Sequence, residues 1–148
     1  MPESDDKLKA VFRNLYAEWI TALQQKRYEW FEEHIAEDFS ASTHPYPGVT
    51  MNKSLFIQGE KLIESVKGRT LEVHVHSIEG ITVTLWFAFL EEEKLSRSDS
   101  FKIFGAQFPS SEALNDLVRN KTMAYADSWR NEDGVWRCFN HHMIGPAN

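Results

Sequence analysis

The chain has 148 residues, 42% of them hydrophobic and 26% charged, proportions of an ordinary globular domain that exclude a collagen-like repeat or a disordered tract. Its length suits one core, so a single domain over residues 1–148 is expected. A net charge of −6 with no cluster of Lys and Arg removes the electrostatic drive for nucleic acid, and no apolar run is long enough to cross a membrane.

The aromatic share is the departure from the ordinary. Ten Phe, five Trp and four Tyr are more flat apolar surface than a small core needs, which points to a lined cavity or a subunit interface. The single Cys138 cannot close an internal disulfide, and Met-Pro-Glu-Ser-Asp-Asp lacks the basic and apolar regions of a secretory signal, so a reducing, cytoplasmic setting is expected.

Ser4, Asp5 and Asp6 can cap a first helix whose apolar positions Leu8, Val11, Phe12, Leu15, Trp19 and Leu23 recur at spacings of three and four. After Gln24-Gln25-Lys26 a short helix carrying Tyr28, Phe31 and Ile35 should end near Glu37-Asp38. A strand from Phe39 to Thr43 then stops at the turn chemistry of Pro45, Pro47 and Gly48. Asn52 can cap a third helix with Leu55, Phe56, Leu62, Ile63 and Val66 inward, closed by Lys67-Gly68.

From Arg69 the period becomes two. Leu71, Val73 and Val75 alternate with Glu72, His74 and His76 up to a tight turn at Glu79-Gly80, and Ile81 to Leu90 returns as a strand apolar on both faces. Such a sheet needs cover on both sides, which a second copy in a homodimer would supply. Residues 91–121 read as an irregular lid or interface element, with a strand at Phe101 to Phe104 and a helix capped at Ser110 or Ser111 before Leu114, Leu117 and Val118. Strands Thr122 to Arg130 and Val135 to Ile144 flank the hairpin signal Asn131-Glu132-Asp133-Gly134. Helices followed by a meander predict an α+β fold, with the N-terminal helices packed in a strongly curved antiparallel sheet.

The order of elements, the step Ala36-Glu37-Asp38-Phe39 and the run from Trp129 to Arg137 resemble the nuclear transport factor 2-like superfamily, which includes SnoaL-like polyketide cyclases, ketosteroid isomerase and scytalone dehydratase. The hairpin Asp133-Gly134-x-Trp136-Arg137, followed by His142 and then Gly145-Pro146, is also similar to the association domain of calcium/calmodulin-dependent kinase. So is His74-Val75-His76 ahead of Gly80. The resemblance implies a cone-shaped fold. It names no single reaction, because the superfamily holds lyases, isomerases, hydrolases and assembly domains.

Several side chains could carry chemistry. His74 and His76 share a strand face, as either a proton-transfer pair or a metal pair requires. Gly68, His74-x-His76 and Glu79 mimic part of a cupin metal motif, with Glu79 one residue early and no second motif; further ligands would have to come from His44, His142 or Asp127. His44 lies near where the ketosteroid isomerase pattern places its general-base carboxylate before a proline. An imidazole with an ordinary pKa of about 6.5 could serve instead, while a slip of one residue would put Thr43 there. Asp127 shares an alternating set with Met123, Tyr125 and Trp129, so it is either exposed or a paired group able to act as acid, with Tyr125 donating to a developing oxyanion. On the last strand Asn140 and His142 fall on one face and His141 on the other, and Cys138 reads as a core filler. The Tyr-Asp pair that scytalone dehydratase carries near the end of the first helix is replaced here by Gln24-Gln25-Lys26.

These readings predict a lyase or isomerase, without cofactor or metal, acting on a small hydrophobic, aromatic or polycyclic metabolite. His44 or His74 would be the base, and His142, Asp127 and Tyr125 would hold or protonate the oxygen. Tyr16, Trp19, Phe56, His76, Trp86 and Asn140 would contact the substrate. No Gly-rich phosphate loop is present. The alternatives are a non-catalytic ligand-binding or oligomerisation domain and, as a minor one, a metal-binding protein using His74 and His76.

Overall fold

The computed structural model describes residues 2–43, 50–61, 63–65, 68–77, 81–89, 96–97 and 122–146. Helix α1, Pro2–Gln25, begins earlier than expected, with Ser4 and Asp5 inside it. Its stripe of Phe12, Leu15, Tyr16, Trp19 and Leu23 is buried, whereas Val11, expected inward, is 38% exposed at the stripe's edge. The helix stops at Lys26, which takes a left-handed φ of 56°. Lys26 N–H donates to Leu23 O at 3.2 Å and Arg27 N–H to Ala22 O at 2.9 Å, the pairing that closes a helix around a left-handed residue.

Helix α2, Glu29–His34, is shorter than the sequence suggests, because Ile35 is already extended and opens strand β1, Ile35–Thr43. Tertiary contacts end it. The buried ammonium of Lys53 donates to Glu32 O at 2.9 Å and to Glu37 Oε1 at 2.9 Å, Arg137 donates to Glu33 O, and Ile35 pairs with Cys138. The last-turn carbonyls thus find side-chain donors, so the chain leaves the helix without stranding them.

After strand β2, Thr50–Met51, helix α3 covers Lys53–Lys61. Asn52 caps it as expected, Oδ1 accepting from Leu55 N–H at 2.9 Å. Two expectations fail here: Leu55 is 37% exposed, and the helix ends before Ile63–Ser65, which forms strand β3 paired with β6, Ser96–Arg97. Leu62 and Val66 lie outside the described residues.

Strands β4, Gly68–Ser77, β5, Ile81–Phe89, β7, Thr122–Glu132, and β8, Val135–Pro146, build most of a six-stranded sheet in the order β2-β1-β8-β7-β5-β4. The expected antiparallel sheet needs one correction: β1 runs parallel to β8. These two strands lie far apart in sequence, so no tight turn dictates their relative direction. The β7–β8 hairpin turns at Asp133 and Gly134 with φ of 54° and 90°, the two positive values of a type I′ turn that Asp-Gly favours. Helix α1 packs against β4. The core is filled by Phe12, Trp19, Phe31, Phe39, Phe56, Met123, Trp129 and neighbouring groups. The turns expected at Pro45 to Gly48 and Glu79-Gly80, and the elements expected at Phe101 to Phe104 and after Ser110, lie outside the described residues.

Candidate active site

Register decides which side chains meet. In β7 the alternation holds, and Met123, Tyr125, Asp127 and Trp129 are all buried. In β8 it breaks: Trp129 pairs with Cys138 but Ser128 pairs with Asn140, leaving Phe139 as an extra residue. This bulge moves the inward set from Trp136 and Cys138 to His141 and Met143. Asp127 therefore faces His141, and both sit in a register row running Val75, Val83, Asp127, His141 and Ala41 across the sheet.

A polar chain results inside an apolar core. Trp129 Nε1–H donates to the Tyr16 hydroxyl at 3.1 Å, Tyr16 O–H donates to Asp127 Oδ2 at 2.6 Å, and His141 Nδ1 lies 2.7 Å from Asp127 Oδ1. A carboxylate accepts at both oxygens, so Nδ1 carries the proton toward Asp127. Asp127 is fully buried, and the His141 side chain keeps 18% exposure. Among the described residues no hydrogen-bond partner meets the other ring nitrogen, Nε2.

Aromatic rings enclose the imidazole. Tyr125 stacks on it with centroids 5.3 Å apart, Trp19 lies tilted at 5.2 Å, and Phe56 meets it edge-on at 5.5 Å. Trp19 Nε1–H also donates, at 3.4 Å, to Oε2 of the buried Glu60. Burial by these rings pulls the imidazole toward its neutral form. The Asp127 charge, its hydrogen bond and the more distant Glu60 charge outweigh that pull and raise the His141 pKa above 6.5. Burial, together with the Asp127 charge, holds the Tyr16 phenol well above its ordinary value and so neutral. The same two causes keep the Cys138 thiol protonated, and its Sγ lies 3.3 Å from Asn140 O, in keeping with a core filler.

The anticipated residues therefore divide. Tyr16, Trp19, Phe56, Tyr125 and Asp127 converge on one place. His142 does not join them: it occupies the row of Ala126 and Ser42, and its Nδ1 bonds Ser42 Oγ at 2.7 Å. His74, in the same row through Thr84, is exposed and bonds Glu72 Oε2 at 3.1 Å through Nε2. Assigning the base to His74 and the oxygen-holding role to His142 is thus corrected by register: both belong to the face opposite Asp127. Asn140 and His76 fall in one row with Ser128, and Trp86 pairs with Glu72 and Ala124. His44 lies outside the described residues. Among the described residues no group of three or more His, Cys, Asp or Glu side chains could hold a metal ion.

His141 is the residue the sequence reading passed over. One signal was available: Cys138 and Met143 are both apolar and an odd number apart, so both can face the core only if the strand slips once between them.

No protein-family model matches this sequence, and no curated protein is similar to it. Solved structures are similar in fold. An NTF2-like protein from Cytophaga hutchinsonii superposes with a TM-score of 0.65 at 14% identity over 92% of this chain and 96% of its own. The association domain of Caenorhabditis elegans CaMKII gives 0.63 at 12% identity, covering 96% and 98% of the two chains. Aln2 from a Streptomyces species gives 0.63 at 10% identity, covering 98% and 92%. At these identities the likeness speaks for architecture. The chain has the α+β fold of the nuclear transport factor 2-like proteins.

Proposed function

We propose that this protein is a proton-transfer enzyme, a lyase or isomerase, acting on a small hydrophobic and aromatic carbonyl metabolite with His141 as its central acid and base. The observation that carries this reading is the buried chain from Trp129 through Tyr16 and Asp127 to His141. Asp127 holds the ring in one tautomer and favours its charged form, so Nε2–H is ready to donate to a substrate oxygen on which negative charge develops. Tyr16 in turn holds Asp127. The rings of Trp19, Phe56 and Tyr125 favour a flat apolar guest and strengthen each polar contact by excluding water. A carbonyl compound can exchange an α-proton through side chains alone, so the reaction needs no cofactor.

A thermal-shift panel of small aromatic ketones tests this. A true ligand raises the melting temperature with its concentration, and His141→Asn should weaken or abolish that shift while leaving the fold intact. Ligands that bind the variant and the wild type equally would remove His141 from the site. A second reading, an assembly domain, draws on the likeness to the C. elegans CaMKII association domain. It predicts a stable homodimer or larger oligomer by light scattering and no turnover. The enzyme reading also accommodates a homodimer, so the titration of His141 by ligand, not oligomeric state, separates the two.

A further inference from the structure

We propose that Tyr16 and Trp129 are positioning residues that set the acid strength of His141: by claiming one oxygen of Asp127, they keep that carboxylate from holding the imidazole proton too tightly. The inference rests on the reading of His141 given above and deepens it by naming what regulates that group.

Asp127 divides its charge between two donors. Tyr16 O–H reaches Oδ2 at 2.6 Å, and His141 Nδ1 lies 2.7 Å from Oδ1. The carboxylate side chain is fully buried, so water does not dilute the competition between them. Burial and the Asp127 charge hold the Tyr16 phenol well above its ordinary value, so Tyr16 donates whether or not His141 is charged. Charge drawn toward Oδ2 is withdrawn from Oδ1, and the imidazolium is held that much less firmly.

Trp129 acts one bond further out. It lies two residues beyond Asp127 on β7 and is itself fully buried. An indole N–H only donates, and this one donates to the Tyr16 oxygen at 3.1 Å. Donation into that oxygen polarises the phenol and makes its O–H a stronger donor toward Asp127. The indole meets the Tyr16 ring edge-on, with centroids 5.8 Å apart and planes at 89°, so packing fixes the direction of the bond.

The titratable groups that face His141 from the described elements are Tyr16 on α1, Glu60 on α3, Asp127 and Tyr125 on β7, and Cys138 nearby on β8. Glu60 acts on it as a more distant charge, and Cys138 stays protonated. Among the described residues, Tyr16 is the one that shares a carboxylate with His141. An acid that releases its proton near neutral pH transfers it faster than one locked into an ion pair, so this competition serves turnover and not order alone.

The test is an NMR titration of the His141 ring in the full chain, with no ligand added. Tyr16→Phe removes the competing donor and should raise the midpoint by about 0.5 pH unit or more. Trp129→Phe keeps the Tyr16 hydroxyl but leaves it less polarised, and should move the midpoint the same way by a smaller amount. A purely structural role would lower the melting temperature without raising the midpoint. An unmoved or lowered midpoint in Tyr16→Phe overturns the inference, and a flat or opposite response in Trp129→Phe overturns it for Trp129. Should either variant not fold, wild type carries the test: the Trp129 indole N–H resonance should titrate at the His141 midpoint, and a resonance that stays flat there defeats the inference. The proposed function fails by a different result. If His141→Asn binds the aromatic ketones as wild type does, that function falls whatever the midpoints do; if His141→Asn loses them while the midpoints stay fixed, only the role of Tyr16 and Trp129 falls.

Discussion

Two adjacent histidines on β8 show how differently the two faces of this sheet are built. His141 looks inward to a fully buried carboxylate and three aromatic rings. His142 looks the other way, to the hydroxyl of Ser42. The difference teaches that residue type says little about chemistry on a strand. An inward imidazole beside Asp127 acquires an altered proton affinity because water is excluded and a charge is held close, whereas the outer row around His142 and His74 offers a hydroxyl and an exposed glutamate.

The severest way to break the contrast is Asp127→Ala. It strips His141 and Tyr16 of their shared partner inside the core, and chemical denaturation should register a loss of about 3–5 kcal/mol. A loss below about 1 kcal/mol would mean that the polar chain does not hold the inner face together. Next comes a direct comparison of the neighbours. With an active substrate in hand, His141→Asn should lower turnover by roughly 100-fold or more, and His142→Asn and His74→Asn should stay near wild type. Equal effects from His141 and His142 would erase the distinction between faces.

Tyr16→Phe removes one hydroxyl from the same chain and leaves Trp129 Nε1–H and one Asp127 oxygen without it, for an expected cost of about 1–3 kcal/mol. The pH dependence of stability sharpens the contrast further. Because the His141 pKa is raised in the folded protein, its contribution should be fully present below about pH 6.5 and fade as pH climbs through the folded value. Melting curves collected across that range should show the decline in wild type, and His141→Gln should flatten it. A decline that persists in His141→Gln would place its source elsewhere.

The smallest effect lies away from the site. Lys26 closes α1 in a left-handed conformation that glycine adopts without strain, so Lys26→Gly should stabilise by up to about 1 kcal/mol. A drop in melting temperature would show that the lysine side chain contributes more than its backbone costs.

Much of this architecture could be read before any coordinates. Asn52 at a helix start, Asp133-Gly134 in a type I′ turn and the alternation of Met123, Tyr125, Asp127 and Trp129 are local statements, and local physics enforces each. The apolar stripe of α1 likewise placed Phe12, Leu15, Trp19 and Leu23 in the core. Helix ends were less legible. Nothing near His34 in sequence announces that Lys53 and Arg137 will take up the last carbonyls of α2, nor that Ile63–Ser65 will pair with Ser96–Arg97 instead of extending α3.

What the sequence determined by itself was the inventory and the order: helices first, strands after, several aromatics bound for the interior, and Asp127 alternating with Met123, Tyr125 and Trp129 on one strand face. Which histidine would meet that acid was settled only by tertiary structure. A single extra residue at Phe139 shifts the register of β8 and exchanges the two faces for residues 140–143, until a second irregularity between Met143 and Gly145 shifts it again. Such a bulge is held by pairing with β7 and β1 across the sheet, a non-local interaction; the odd spacing of Cys138 and Met143 signals that β8 slips once but not at which residue.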